Sequence, residues 1–234
     1  MEIRLGSLVR DAREAQGTVV VTDVFRAFTT AAIAFHRGAK EIVLVAEVAE
    51  ALALHRQGVG DLLMGEEDGK RPEGFDFGNS PYEVSRAEVS GKTIVQSTRA
   101  GTVGVAAAGN APGNTQSIYL GSFVVAGATV KAILADNPPL VSIIAMGDQG
   151  RVRSDEDEQF GLYLRNRLEG RLPDPAAVRS LIMTGGATQK FFDPQQPQYH
   201  PKDVTLALQV DRFPFAMKVS REHGLLVARR HLVS

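Results

Sequence analysis

The chain has 234 residues, of which 44% are hydrophobic, and its formal net charge is −1. This length suits one large α/β domain or two small ones, and the apolar fraction is ordinary for a protein with a buried core. A net charge this small gives no general attraction to nucleic acid or to an anionic membrane, so a site for an anion must be built locally. The absence of cysteine excludes disulfides, thiolate zinc sites and a cysteine nucleophile.

The sequence shows no targeting or membrane signal. Residues 1–5 lack the basic-then-apolar pattern of a signal peptide, and no segment approaches about 18 consecutive apolar residues. We therefore expect a cytoplasmic protein that binds neither a membrane nor nucleic acid.

Strands and helices are predicted to alternate through most of the chain. The predicted strands cover residues 18–24, 41–45, 62–64, 93–96, 117–120 and 141–146, and the predicted helices cover 27–37, 48–57, 102–108, 124–135 and 156–169. The first strand is continuously apolar, which is typical of a strand buried on both faces. This alternation predicts a three-layer α/β/α fold with a largely parallel or mixed sheet.

The pattern weakens after Gly170. Helices are plausible over residues 176–183 and 204–209, and two short strands, 215–219 and 225–228, flank "SREHG" as a C-terminal hairpin. No segment has the composition of a domain linker, so we predict a single domain over residues 1–234. The long segment 66–81, "EEDGKRPEGFDFGNSP", has no helical or strand period, and long connections of this kind are often functional.

Polar residues cluster where the predicted strands end. In open α/β sheets ligands bind outside the carboxyl ends of the strands. The residues that this rule selects are Asp23, Arg26, Glu66, Glu67, Ser97, Thr98, Arg99, Ser122 and Asp148.

An acid and a base lie where the first strand meets its helix, in "TVVVTDVFRAFTTAAIAF". Arg26, Thr29 and Thr30 follow Asp23 at spacings that place them on one helical face over the strand end. Such a face could bind a ligand. The alternative is that Asp23 and Arg26 form an ion pair that only caps the helix, since capping acids are common.

The segment "QSTRAGTVG", residues 96–104, leads from a strand through a glycine turn into a helix. Free backbone N–H groups at such a helix start suit a phosphate, and Arg99 could add a bidentate clamp. An ordinary helix cap with an exposed arginine explains the same spacing.

Carboxylates are frequent in the long segment. Glu66 and Asp76 stand with Glu67, Asp68 and Glu73, and oxygen ligands without histidine or cysteine suit Mg²⁺. Solvation of ordinary loop charges is the alternative. The acids of "SDEDEQFG", residues 154–161, are open to both interpretations, because acids also favour helix starts.

Taken together, "DVFRAFTT", "GEEDGKRPEGFDFGNSP", "STRAG", "LGSF" and "SDED" resemble the 2-phosphosulfolactate phosphatase family in order and spacing, over about residues 18–230. The resemblance implies a three-layer α/β/α fold and a magnesium-dependent acid phosphatase step of coenzyme M biosynthesis. The substrate would be a small phosphorylated acid that also carries a carboxylate and a sulfonate. The chain departs from the family pattern at Phe28, at Gln96 and Ser97, and at Val124 and Val125, which bears on the natural substrate more than on the reaction class.

With this resemblance, roles can be predicted for individual residues. We expect Asp23 to be a metal ligand or catalytic base, and the further magnesium ligands to be Glu66, Asp76 and Asp157. Arg26, Thr98 and Arg99 are predicted to be catalytic with Asp23, and Arg26 and Arg99, with the N–H groups of the "STRAG" turn, to hold the phosphoryl oxygens. The remaining substrate-binding residues are predicted to be Thr29, Thr30, Asn79, Ser80, Ser97, Gly101 and Ser122. A non-catalytic anion- or ligand-binding module on the same fold is the alternative, and self-association as a homodimer is left open.

Overall fold

The computed structural model describes residues 1–113 and 115–233. Within these residues nine strands form one mixed sheet, in the order β1-β7-β2-β6-β8-β9-β3-β5-β4. The strands are β1 (Glu2–Ser7), β2 (Gly17–Thr22), β3 (Glu41–Val45), β4 (Leu62–Gly65), β5 (Thr93–Ser97), β6 (Thr115–Gly121), β7 (Leu140–Ala145), β8 (Phe215–Glu222) and β9 (Leu225–Leu232).

Helices connect most of these strands and cover both faces of the sheet. They are α1 (Leu8–Ala12), α2 (Ala27–His36), α3 (Val48–Arg56), α4 (Pro81–Val84), α5 (Gly101–Gly109), α6 (Ala126–Asp136), α7 (Asp155–Leu168), α8 (Pro175–Thr184), α9 (Gly186–Gln189) and α10 (Pro201–Ala207). Two single 3₁₀ turns, Phe123–Val125 and Lys190–Phe192, complete the helical segments of the described residues.

Strand β2 shows why the fold has three layers. Val19 and Val21 belong to the core cluster that also contains the buried side chains of α2 and α5. Val20, between them, belongs to the cluster on the opposite face, with residues of α6 and α7. Successive side chains of a strand point to opposite faces, so a strand of consecutive valines needs a covering layer on each side. The predicted three-layer α/β/α arrangement is confirmed.

The C-terminal hairpin lies in the middle of the sheet. Strand β8 pairs antiparallel with β6, and β9 pairs antiparallel with β3, so the hairpin joins two parallel groups of strands. His223 and Gly224 connect β8 to β9 with φ angles of 49° and 85°. Two successive residues with positive φ are typical of the tight turns that join hairpin strands. The hairpin itself is confirmed, and its strands are longer than predicted.

The elements predicted from residue 18 to residue 169 are confirmed, with boundaries that differ by two residues at most. Strand β1 and the short helix α1 were not predicted. Polar and apolar residues alternate in β1 only over Glu2–Leu5, which is short for a strand pattern, and the strand is paired in parallel with β7. Across residues 1–113 and 115–233, no helix is both long enough and apolar enough to cross a bilayer.

Candidate active site

A cavity of about 480 Å³ opens where the loops after β2, β4, β5 and β7 converge. Four of the predicted site residues that line this cavity are Asp23, Glu66, Asn79 and Arg99. Arg26 contributes a fifth side chain to the same wall. Residues separated by more than 70 positions in the sequence are therefore brought together at the carboxyl edge of the sheet, where ligands bind in folds of this kind.

Asp23 is buried between the first turns of two helices. Its Oδ1 accepts a hydrogen bond of 3.0 Å from the N–H of Ala27, the first residue of α2. Its Oδ2 lies so close to Gly101, the first residue of α5, that a Cβ there would be 2.8 Å away. Burial raises the pKa of Asp23 to about 6, backbone hydrogen bonds from Ala27 and Gly101 oppose the rise, and the charge of Glu66 adds to it. This carboxylate can therefore exchange a proton near neutral pH.

Glu66 accepts backbone hydrogen bonds on both carboxylate oxygens. The N–H of Arg99 donates to Oε1 at 2.7 Å, and the N–H of Gly69 donates to Oε2 at 2.8 Å. These bonds fix the carboxylate at the cavity wall. They leave further lone pairs on both oxygens, because a carboxylate can accept about four hydrogen bonds.

The "STRAG" turn differs from the predicted phosphate cradle. The Arg99 N–H donates to Glu66, the Thr98 N–H donates to Thr102 Oγ1 at 2.8 Å, and the Thr102 N–H donates to Thr98 Oγ1 at 3.2 Å. The backbone of Gly101 supplies a hydrogen bond to Asp23. Acidic and hydroxyl side chains of the protein thus already occupy the positive end of this helix. We correct the prediction for Thr98, Arg99 and Thr102, whose N–H groups bind the site's own side chains.

The first turn of α7 brings a different acid to the cavity than the sequence indicated. Glu156 lines the cavity, and its Oε2 is buried without a hydrogen-bond partner among the described residues. Burial raises the pKa of Glu156 to about 7. Asp157, the predicted ligand, instead accepts hydrogen bonds from the N–H groups of Val24 at 2.7 Å and Gly147 at 2.8 Å. Its carboxylate joins the ends of β2 and β7, and burial followed by the charge of Glu156 raises its pKa well above the usual range.

Asp76 does not reach the cavity. Its side chain is exposed, and Oδ2 accepts a hydrogen bond of 2.8 Å from the N–H of Leu63 in β4. The structure therefore corrects its predicted place among the metal ligands, because the loop between Glu66 and Asp76 turns the carboxylate back onto the strand.

Arg26 is held by protein groups. Its Nη1 donates to the carbonyl oxygen of Gln198 at 2.8 Å and to Asp203 Oδ2 at 3.1 Å, and its Nη2 donates to the carbonyl oxygen of Gly69 at 3.2 Å. The guanidinium also lies 4.8 Å from the centre of the Tyr199 ring. Of the two arrangements that the spacing allowed, Arg26 does form an ion pair, but its partner is Asp203 of α10 and not Asp23.

Several predicted substrate-binding residues lie beneath the cavity, in internal hydrogen bonds. Thr29 Oγ1 is 2.7 Å from Ser122 Oγ, and Thr30 Oγ1 donates to the carbonyl oxygens of Arg26 and Asn79. None of these hydroxyl groups lines the cavity, and neither do Ser97, Thr98 or Gly101. Ser80 lines a neighbouring cavity and donates to Asp203 at 2.6 Å. These residues hold the elements that carry the cavity wall.

Asn79 is the exception in the "GNSP" segment. It is only 6% exposed and lines the candidate-site cavity with Asp23. Its Oδ1 has no hydrogen-bond partner within the described part of the chain. A buried amide oxygen without a partner is costly, so a ligand that supplies a donor would be stabilising at this position.

The donor set suits a magnesium ion that keeps part of its water shell. Within residues 1–113 and 115–233, no three acidic or histidine side chains are grouped tightly enough to enclose a metal by themselves. The charge of Glu66 raises the pKa of Asp23, and the charge of Asp23 raises that of Glu156. The Oε2 atom of Glu156 has no hydrogen-bond partner among the described residues and can therefore bind a metal ion. Mg²⁺ is usually bound by one or two carboxylates, waters and substrate phosphate, so these residues fit it.

Acidic and basic side chains around one cleft of an α/β sheet define a protein that can bind a charged small molecule together with a metal ion. The chain belongs to the 2-phosphosulpholactate phosphatase family, whose model matches residues 6–193. The resemblance noted in the sequence is thereby confirmed. The predicted enzyme class is confirmed as well, because the members of this family are phosphoric monoester hydrolases.

Curated relatives are similar in sequence to this protein along most of its chain. A protein of Bacillus subtilis is 32% identical over 217 residues, which cover 92% of each chain. One of Caldanaerobacter subterraneus is 30% identical over 223 residues, or 90% of each chain. One of Deinococcus radiodurans is 34% identical over 170 residues, covering 71% of this chain and 70% of the relative. All three are named "Probable 2-phosphosulfolactate phosphatase".

Proposed function

We propose that this chain hydrolyses the phosphate ester of a small acid in a magnesium-dependent reaction, converting 2-phospho-3-sulfolactate and water to 3-sulfolactate and phosphate. The observation that carries the proposal is the position of Asp23. It is a buried carboxylate between the first turns of α2 and α5, in one cavity with Glu66, Glu156 and Arg99. The family and the names of the relatives support the same substrate.

Glu156 and Glu66 are the residues that would hold the cation, with Asp23 beside them as the proton acceptor. When bound, magnesium neutralises charge on the phosphoryl oxygens. Arg99 adds a guanidinium at the cavity wall that can bind the same oxygens as charge spreads over them. The side-chain amide of Asn79 can donate to another acid group of the substrate from its Nδ2.

The hydrolysis forms one bond from water oxygen to phosphorus and breaks the bond from phosphorus to the ester oxygen. The water proton passes to a carboxylate, and that proton is returned, directly or through solvent water, to the ester oxygen, which leaves as the hydroxyl group of the acid. Asp23 suits the acceptor role because a group with a pKa of about 6 is largely ionised at neutral pH and can still take up a proton. A role in coenzyme M biosynthesis and a cytoplasmic location remain predictions from the sequence.

Phosphate release from purified, EDTA-treated protein tests this proposal. We expect release from 2-phosphosulfolactate when Mg²⁺ is restored, weaker release from 4-nitrophenyl phosphate, and none in the presence of EDTA. Calorimetric titration with Mg²⁺ provides a measurement independent of turnover. Glu156→Gln should weaken Mg²⁺ binding by about tenfold or more, a typical loss for a perturbed metal site, whereas Asp76→Asn, outside the cavity, should not.

Two results would contradict the proposal. Protein that binds these anions but releases no phosphate with any divalent cation would be a non-catalytic binding module. Turnover that persists at full rate after complete removal of metal would exclude the magnesium dependence and leave the phosphatase reaction in place.

A further inference from the structure

Lys190 is a cation of the cavity that the sequence did not single out. It begins the 3₁₀ turn Lys190–Phe192 directly after α9 and is partly buried in the cavity wall. Lys190 is more than 160 residues away from Asp23 in the chain, so no local spacing pattern in the sequence relates it to the site.

Two aromatic rings fix the side chain of Lys190. The ammonium lies 4.9 Å from the centre of the Tyr199 ring and 6.0 Å from that of Phe191. These rings pack edge to face with centres 5.3 Å apart, and Phe191 also packs against Phe25 at 5.2 Å. Lysine stems pack well on apolar surface while the charged end stays polar. The rings therefore hold the ammonium at the cavity.

The ammonium of Lys190 forms no ion pair within 4.0 Å and no hydrogen bond among the described residues. It is nevertheless close enough to two acids to affect them. Burial is the main cause that raises the pKa of Asp23 and of Glu156, and the charge of Lys190 acts in the opposite direction on both. The ammonium thus stands near the two carboxylates without being neutralised by direct contact with either.

The other cationic side chains of the wall, those of Arg26, Arg99 and Arg153, each have an acidic partner within 4.0 Å. Arg26 donates to Asp203 and to two backbone carbonyl oxygens. Arg99 has its Nη1 3.8 Å from Glu67, and 36% of its side chain is exposed. Lys190 therefore offers an anion in this cavity three N–H donors that have no acceptor among the residues that the structure describes.

We propose that Lys190 binds a phosphoryl oxyanion in this cavity before reaction, as a residue of ligand binding and not of bond cleavage. The proposal rests on the proposed function for the identity of the ligand. It does not require turnover, because inorganic phosphate presents the same oxygens. Lys190 thereby supplies the positive charge that Arg26, paired with Asp203, does not offer.

Calorimetric titration of the full-length protein with inorganic phosphate, in the presence of Mg²⁺, tests this role. Lys190→Met keeps a long apolar stem on the two rings and removes the charge. We expect it to raise the Kd for phosphate about tenfold or more, in line with the loss of a charge-assisted hydrogen bond. Lys190→Arg should restore binding to within about threefold, because it restores the charge. Lys131→Met, at an exposed position of α6, should leave the Kd unchanged.

A second measurement separates ligand binding from general damage. Removal of a positive charge near Asp23 and Glu156 should leave Mg²⁺ binding equal or tighter in Lys190→Met, whereas a distorted cavity would weaken it. In kinetics, Lys190→Met should raise KM by about the same factor as the Kd and change kcat by less than about threefold.

Wild-type protein that binds no phosphate, or a Lys190→Met variant that binds it as tightly as wild type, would overturn the role of Lys190. The two proposals can fail separately. Phosphate binding that depends on Lys190 in a protein without phosphatase activity would refute the proposed function alone. Phosphatase activity with an unchanged KM in Lys190→Met would refute the role of Lys190 alone.

Discussion

The guanidinium of Arg26 donates to a carboxylate oxygen of Asp203 at 3.1 Å, and the side chains are 3% and 0% exposed. Asp203 also accepts from the hydroxyl of Ser80 at 2.6 Å and from the N–H of Tyr82 at 3.0 Å. One buried ion pair therefore joins the start of α2, the "GNSP" segment and α10. Arg26 and Asn79, from two of these segments, line both the candidate-site cavity and its neighbour.

Loss of this pair should reduce stability. Asp203→Asn leaves a buried guanidinium without its acid, and breaking such a pair costs about 3 to 5 kcal/mol. Urea denaturation should therefore show a loss of about 3 kcal/mol in the free energy of unfolding. Glu2→Gln removes an exposed pair with Arg4 and should cost less than about 1 kcal/mol. Equal losses in the two variants would show that the buried pair is not a structural joint.

Replacement of Asp23 should affect the chemical step. We expect Asp23→Asn to lower kcat by at least about 10²-fold, a typical loss for a group that takes part in proton transfer, with an unchanged circular dichroism spectrum. Asp76→Asn makes the same chemical change outside the cavity. The amide oxygen of the variant can still accept the hydrogen bond from the Leu63 N–H, so stability should change by less than about 1 kcal/mol while kcat changes little. Near-wild-type turnover in Asp23→Asn would contradict its catalytic role.

Removal of the Arg99 side chain should weaken substrate binding. The backbone N–H that donates to Glu66 is retained in Arg99→Ala, so the turn should keep its conformation. We expect KM to rise by about tenfold and kcat to change by less than about threefold, as for loss of a charged contact made before reaction. Arg56→Ala, at the exposed end of α3, serves as the control. Unchanged kinetics in Arg99→Ala would remove this side chain from the site.

The raised pKa of Glu156 predicts a pH dependence of stability in metal-free protein. Burial raises this pKa from 4.5 to about 7, so the folded state binds the proton more tightly than the unfolded state does. The contribution is fully present below pH 4.5 and is lost as the pH rises towards 7 and above. Glu156→Gln cannot ionise and should gain on wild type over this range.

The gain is measured as a difference in the free energy of unfolding, in EDTA, at pH 4.5 and at pH 8. A shift of about two and a half pKa units corresponds to roughly 3 kcal/mol in favour of Glu156→Gln at the higher pH. A difference that does not change with pH would show that Glu156 is ionised in the folded protein without penalty. Addition of Mg²⁺ should restore the stability of wild type more than that of the variant.

Part of the candidate site could be predicted because strand ends are readable in the sequence. Asp23, Glu66 and Arg99 each follow an apolar strand, and parallel strands deliver such residues to one edge of the sheet. Glu156 was missed in favour of Asp157, since a one-residue difference in helical phase decides which carboxylate faces the cavity. Lys190 and Asp203 carried no signal, because they reach the site through packing of segments distant in the chain.

The alternation of apolar strands and helices could be read from the residue pattern, and with it the layers and the edge at which acids and arginines would meet. Local periodicity and turn residues suffice for this, because they depend on neighbours in the chain. Which groups remain available to a ligand depends on contacts between segments that are distant in the chain. Arg26 is paired with Asp203, whereas Lys190 is left facing the cavity. In the "STRAG" turn the Arg99 N–H donates to Glu66, and the N–H groups of Thr98 and Thr102 donate to threonine hydroxyls. Hydrogen-bond and charge partners are chosen by distance in space, which the order of residues along the chain does not specify.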